Sequence, residues 1–373
     1  MFAFTIVLFF LGIVAVICLH ELGHYLVARR YGFKVEEYFV GFGPKLWSTR
    51  RGEIEYGVKA IIAGGYVKIA GMNPYQPVPP EDLPRAYGSK PIWQRALVIF
   101  AGPGSHFLIA AVLFTLGFLF VGDPGTSVQQ VTETEKVGET ASPAAAAGLQ
   151  AGDRIVGIAD IDYPTPDELS AASLAAARSK TPLTYTIERD GTTFEVKITP
   201  VLATVDGEPA GRIGIIIENG PLGPTLGPLQ ALGHGIAEVG TTVKLTLQEI
   251  PRIFGPAGIS RVFSLVFTDA QHKDTDPVSV VGIGKQVGET GRITGLAYLM
   301  TFALGAVTVF IGLLNLLPLP PFDGGHLAML AIEKIRGRAV DMRRVIPVAV
   351  AVMGFFVTFV TLAVIADIKD IAR

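Results

Sequence analysis

Four stretches of this chain are each long and apolar enough to cross a lipid bilayer, and this constrains the fold before any other feature does. They are Phe2–Val27, Ala96–Val121, Leu296–Leu319 and Val345–Ile365. A spanning helix needs about 20 mostly apolar residues, and in lipid every backbone polar group must be paired within the protein. Composition agrees with a membrane protein. Half of the 373 residues are hydrophobic and only 17% are charged, against about 25% in soluble domains. The net charge of −2 offers no basic field for nucleic acid. Cys18 is the single cysteine, so no intrachain disulfide is possible. The first run lacks a basic leader and a small-residue cleavage site, so it reads as a retained span.

Charge sets the orientation. Residues 29–95 carry Arg29, Arg30, Lys34, Arg85, Lys90 and Arg95 among other cations, and the short 334–344 loop carries Lys334, Arg336, Arg338, Arg343 and Arg344. The positive-inside rule puts both segments in the cytoplasm. Both termini and the long 122–295 segment then lie outside.

The connecting segments have structure of their own. "PKLWSTR", "GEIEYGVKA" and "GGYVKIAG" read as short strands of a small β-sheet at the cytoplasmic face, re-entrant into the membrane or else a solvated hairpin. Residues 122–217 read as a small α/β module. It has a helix in "PTPDELSAASLAAARS", two strands flanking Asp190-Gly191, and a closing strand in "RIGIII". Within 218–295, "LQALGHGIAEVGTTVKLTLQEI" has helical periodicity but is too polar to span comfortably, so an amphipathic surface helix is expected. A fifth span is the alternative.

The chemistry is concentrated in "CLHELGHYLV", at the end of the first apolar run. Ionisable groups inside a bilayer usually mark function. His20 and His24 are i and i+4, so they share one helix face about 5–6 Å apart, a spacing that suits two imidazoles on one tetrahedral Zn²⁺. Glu21 lies about 100° around the helix, placed to take a proton from water rather than to bind the metal. This is the HExxH arrangement of zinc peptidases. The bland alternative is a pair of histidines satisfied by hydrogen bonds in a helical bundle. A catalytic zinc needs a third protein ligand and an open position. The candidate is Asp323 in "NLLPLPPFDGGH", after a helix broken by Pro318, Pro320 and Pro321, with His326 as a rival. Asn315, before the break, could hydrogen-bond a substrate backbone. With about 1.5 Å rise per helical residue, His20 lies roughly 13 Å inside Arg29, and His106 roughly 16 Å inside Arg95. Asp323 lies up to roughly 16 Å inside Lys334, so three spans bring polar groups to one level.

With these motifs the chain resembles the site-2 proteases, intramembrane zinc metalloproteases, of the bacterial regulator-of-sigma-E type with a single PDZ domain. "HELGH" matches the family's HExxH. "NLLPLPPFDG" matches NxxPxPxLDG, with Phe322 in place of Leu. "AGGYVKIAGM" is similar to the GGYV element of the membrane re-entrant β-loop, "SPAAAAGLQAGDRI" to the start of the PDZ domain, and "DPVSVVGIGK" to a GPVSVVGIGK element. The family pattern GPxxNF is met by "GPGSHF", which puts His106 where Asn is usual. His106 could donate to substrate, contact the metal or its water, or simply pack.

The resemblance implies a polytopic α-helical membrane protein in the bacterial cell membrane. The spans fall in 1–28, 96–121, 296–333 and 345–373. The re-entrant sheet falls in 29–95, the PDZ domain in 122–217, a linker with the amphipathic helix in 218–295 and a cytoplasmic loop in 334–344. It implies Zn²⁺ on His20, His24 and Asp323, with Glu21 as the catalytic base. Substrate contacts are expected from Asn315, His106, Gly64, Gly65, Tyr66, Pro318 and Pro320. The expected partners are membrane lipid and single-span membrane proteins, such as anti-sigma factors already trimmed outside, cut within the membrane. The PDZ domain would capture new C-termini or exclude untrimmed substrates. Two rival classes are a membrane zinc transporter or sensor, which should show ligands along a path, and an inactive PDZ scaffold, which should have lost Glu21 or a ligand.

Overall fold

A computed structural model describes residues 2–73, 75–124, 128–138, 141–205, 208–219, 223–268 and 295–371, with positions 270, 271, 273, 276, 277, 279, 282 and 283 between the last two. It divides into two compact units, residues 1–116 with 232–373, and residues 117–231.

The first unit begins with helix α1 (Phe2–Arg30). Arg29 and Arg30 occupy its last turn, where cations suit the negative end of the helix dipole. Strands β1 (Val35–Arg51) and β2 (Ile54–Ile69) follow, joined at Gly52. Each strand bends back, so Tyr38 pairs with both Tyr56 and Val67, and Tyr56 also pairs with Thr49. The three expected strands fall within this hairpin. The run from Val35 to Phe42 was not foreseen, because the adjacent Glu36 and Glu37 break the alternation that marks a strand. The sheet braces α1: Tyr25, Phe33, Val35, Ile54, Ile69 and Val98 form one buried cluster. Tyr56 and Tyr25 hydroxyls lie 2.6 Å apart, and the Tyr38 hydroxyl donates to the Cys18 carbonyl at 3.0 Å. Helix α2 (Ile92–Phe120) completes this half and contains Pro103.

The second unit contains β3 (Gln129–Thr134), α3 (Pro143–Ala146), β4 (Arg154–Ile158), β5 (Ile161–Asp162), α4 (Pro166–Ser179), β6 (Leu183–Arg189), β7 (Thr192–Ile198), β8 (Val201–Val205), β9 (Glu208–Arg212) and β10 (Ile215–Asn219). The sheet runs β10-β3-β4-β6-β7, with β5 on β4, and β8-β9 form a separate hairpin. Asp190 and Gly191 both take positive φ, 52° and 75°, as a tight hairpin with the right-handed twist requires. Thr165 caps α4, with Glu168 closing the capping box. The expected closing strand is β10, and the β8-β9 hairpin is additional. Val131, Ile155, Ile158, Leu169, Tyr185 and Ile187 form the core. Beneath it, Asp153 is 1% exposed and takes two hydrogen bonds from Arg189, at 2.5 and 2.7 Å.

The first unit resumes with α5 (Pro228–Phe254) and α6 (Pro256–Phe267). Among the described residues α5 is not one of the helices apolar enough to span, and it exposes Leu229, Leu232, Ile236, Leu245 and Leu247. Half of the "DPVSVVGIGK" stretch, positions 278, 280, 281, 284 and 285, falls outside the described residues. Helix α7 (Gly295–Asn315) includes a π-helical stretch at Leu299–Ala303. The sequence suggested a span reaching Leu319, but the helix stops at Asn315. Proline at 318, 320 and 321 removes backbone donors and disfavours helical geometry in the residue before it. Helix α8 (Asp323–Arg336) restarts after the break, and α9 (Met342–Ile371) ends the chain. Phe254 and Phe322 both pack on the Phe356 ring of α9, with centroids 5.1 and 5.2 Å away.

Among the described residues, four helices are long and apolar enough to cross a membrane: Phe4–Arg30, Ile92–Phe120, Gly295–Asn315 and Arg343–Asp370. Phe4, Val7, Leu11, Leu108, Val112, Val350 and Val357 project from them unburied. An exposed apolar surface of this kind suits lipid rather than water.

The Asp153 pair makes a pH prediction. Burial alone would push this carboxyl up, but Arg189 and the Gln150 N–H outweigh it and hold it below the ordinary carboxylate range. A carboxyl lowered by folding stabilises above its unfolded-state value, about 3.9, and that stabilisation is lost as pH falls through the folded value. Asp153→Asn should therefore destabilise the protein by about 1–3 kcal/mol near neutrality. In thermal melts, the gap between wild type and variant should narrow as pH approaches 3.

Candidate active site

His20 and His24 lie one turn apart on α1, and both are nearly buried, at 7% and 8% exposure. Their Nε2 atoms are 3.2 Å apart. Asp323, the first residue of α8, places Oδ2 at 3.3 Å from His20 Nε2 and 3.2 Å from His24 Nε2. The three donors thus form a nearly equilateral triangle. Donors about 2.0 Å from one tetrahedral ion would be separated by about 3.3 Å, so the triangle has the size of a zinc face. Two imidazoles and one carboxylate are also a donor set that zinc prefers, and they leave a fourth position open. Among the described residues, these three form the one group able to hold a metal ion.

Helix α2 aims both imidazoles. His24 Nδ1 donates to the Val98 carbonyl at 2.7 Å, which leaves the Nε2 lone pair free. His20 Nδ1 lies 3.0 Å from His106 Nε2. The α2 backbone lies directly against the rings at Gly102: a Cβ there would collide with His24 and come within 2.8 Å of His20 Cε1. Helix α8, which begins at Asp323, is tied to α2. Arg95, near the start of α2, makes a two-pronged ion pair with Glu333 of α8, at 2.6 and 3.0 Å. Both side chains are largely buried, so removing one partner would strand the other's charge.

Glu21 stands outside the triangle. Its Oε1 is 4.0 Å from His20 Nε2, so it borders the open position without joining the donor set. The Val67 backbone N–H bonds its carboxylate, and a Cβ at Gly65 would come within 3.2 Å of Glu21 Cγ. The Gly64-Gly65 stretch of β2 therefore runs beside this glutamate. Tyr66 points elsewhere: its hydroxyl donates to Glu37 and its ring stacks on Phe39 and Phe42. Asn315 is the half-buried last residue of α7, Pro318 is exposed and Pro320 half-buried in the turn before Asp323. His326 is not part of the donor triangle and lines a small separate cavity with Tyr87, Arg95 and Glu333. His106 is fully buried behind His20. The sequence did not reveal Val98, Gly102 or the Arg95–Glu333 pair. A backbone carbonyl and a glycine carry no chemical signature, and ion partners 238 positions apart cannot be matched by spacing.

The model of peptidase family M50 matches residues 8–360. The chain is similar to the zinc metalloprotease Rip1 of Mycobacterium tuberculosis, 35% identical over 414 aligned positions that cover 100% of this chain and 99% of that protein. Rip1 of Mycolicibacterium smegmatis is 34% identical, covering 99% of this chain and 98% of its own length. The metalloprotease MmpA of Caulobacter vibrioides is 31% identical over 87% of this chain and 85% of its own.

If the α2 backbone must lie this close, Gly102→Ala should weaken zinc binding at least about tenfold. Gly104→Ala, whose Cβ would meet only the Phe100 ring at 3.2 Å or more, should bind zinc as wild type does. Zinc content after dialysis against a graded chelator series checks both.

Proposed function

This chain belongs to peptidase family M50 and is a zinc metalloprotease, and from that premise we propose that it cleaves single-span membrane proteins within their membrane segment. The donor triangle at His20, His24 and Asp323 is the observation that carries the reading. Two features argue against the rival classes. A transporter or sensor would need ligands strung along a path, and the described residues hold one cluster. An inactive scaffold would not need Glu21, which stands beside the open position.

Zinc, when bound, brings the pKa of water towards neutrality and polarises a scissile carbonyl. The protein's own residues do the rest. Glu21 accepts the proton of the attacking water and later delivers it to the leaving amine. A substrate helix hides its carbonyls in i to i+4 bonds and must unwind before a carbonyl is reachable. The Gly64-Gly65 stretch can pair with the unwound segment as an added strand, since it already runs beside Glu21. Asn315, at the helix break, can hold a substrate backbone group. Pro318 and Pro320 keep the chain non-helical there, which leaves room for the substrate.

The charge distribution supports an arrangement with the termini outside and the zinc site towards the cytoplasm. Residues 122–217 would serve as a PDZ domain outside the membrane, excluding untrimmed substrates or capturing a new C-terminal carboxylate. Bacterial anti-sigma factors, trimmed outside beforehand, are the substrate class that the family resemblance favours.

The test is cleavage of a reconstituted single-span substrate, stripped of its bulky external domain, by wild type and Glu21→Gln. Wild type should cleave. The variant should retain its zinc and lose activity by about 10²–10⁴-fold, the usual worth of a general base. Equal cleavage by the two would remove Glu21 from the mechanism.

A further inference from the structure

We infer that His106 is a positioning residue for His20, fixing the ring so that Nε2 faces the metal. The inference rests on the zinc-ligand reading of His20, His24 and Asp323. It goes beyond that reading by assigning a role to a residue at which this chain departs from its family's pattern.

The geometry is specific. His106 Nε2 lies 3.0 Å from His20 Nδ1, and the two ring centroids are 4.9 Å apart. A metal on His20 Nε2 leaves the proton on His20 Nδ1, so His20 donates and His106 Nε2 accepts. That fixes the tautomer of His106, with its proton on Nδ1. Among the described residues, His106 Nδ1 is buried without a hydrogen-bond partner, so the one contact made by this imidazole is directed at His20. His106 is 0% exposed, so it does not line a surface that a substrate could touch.

Helices α2 and α7 pack closely here: a Cβ on Gly312 of α7 would come within 2.8 Å of His106 Cβ and 3.3 Å of its ring Cγ. The two histidine ligands are thus held in different ways. His24 is anchored by the Val98 backbone carbonyl, which no substitution at that position removes. His20 is anchored by a side chain, which can be changed. An asparagine at 106 carries its polar atoms one bond nearer the backbone, about where His Nδ1 lies, and falls short of the Nε2 position. Glutamine reaches it. Outer partners of metal-ligating histidines typically govern metal affinity by 10–100-fold.

The experiment measures zinc affinity of the purified full-length protein by chelator competition. Cobalt(II) absorption spectra and melting of the metal-free protein are recorded on the same samples. His106→Phe keeps a planar ring, somewhat larger, without an acceptor. It should weaken zinc about 10–100-fold and shift the cobalt spectrum, with little change in metal-free melting. His106→Gln should restore both affinity and spectrum to near wild type, and His106→Asn should fall between the two. Wild-type zinc affinity in the Phe variant would overturn the inference. So would a Gln variant no better than Phe, which would mean that ring shape alone matters. If the Phe variant does not fold, equal affinities of the Gln and Asn variants would overturn it. His20→Ala separates this from the premise: zinc held by that variant as tightly as by wild type would sink the ligand assignment itself.

Discussion

Two imidazole nitrogens and a carboxylate oxygen, each within 3.3 Å of the others, form the contact from which the site is built. In a largely buried setting, groups this close need a shared cation. Much of the surrounding architecture follows from that requirement. The two histidines must lie on an unbroken helix, because only the i to i+4 spacing brings both nitrogens to one point. The carboxylate must come from elsewhere, because a third ligand on the same helix face would lie too far along the axis. The third donor therefore arrives from a chain segment 299 positions beyond His24, at the start of α8.

That arrangement explains why the third long apolar helix is broken. Asp323 begins a helix of its own only because the prolines after Asn315 end the previous one. The remaining supports act at a distance. The Arg95–Glu333 pair ties α8 to α2, and α2 in turn anchors both imidazoles through Val98 and His106. The β1-β2 sheet packs against the same end of α1 and brings Gly64-Gly65 beside Glu21. In the proposed mechanism one helix supplies ligands and base, a second aims the rings, a third delivers the carboxylate, and a sheet offers an edge for substrate.

What was legible in the sequence had short range or a strong chemical identity. The long apolar runs, the HExxH spacing, the Asp190-Gly191 turn and the proline break all announce themselves within a few residues. What was hidden depends on long-range pairing. Val35 to Phe42 reads poorly as a strand because two adjacent glutamates interrupt it, yet the folded sheet accommodates them, with Glu37 accepting from Tyr66 and Glu36 pairing with Lys68. His106 was legible as unusual and close in depth to the zinc motif. That its Nε2 meets His20 Nδ1 depends on how α1 and α2 pack, which no local pattern reveals.

The central claim is that zinc sits on His20, His24 and Asp323 and on no other side chain. X-ray absorption at the zinc edge of the purified protein tests it most directly, because the method counts imidazoles and detects sulfur. The account predicts two imidazole nitrogens at about 2.0–2.1 Å, the remaining ligands being light atoms, and loss of the bound zinc in Asp323→Ala. Three imidazoles would contradict it, since His106 or His326 would then be a ligand. A sulfur neighbour would contradict it as well, by bringing Cys18 to the metal.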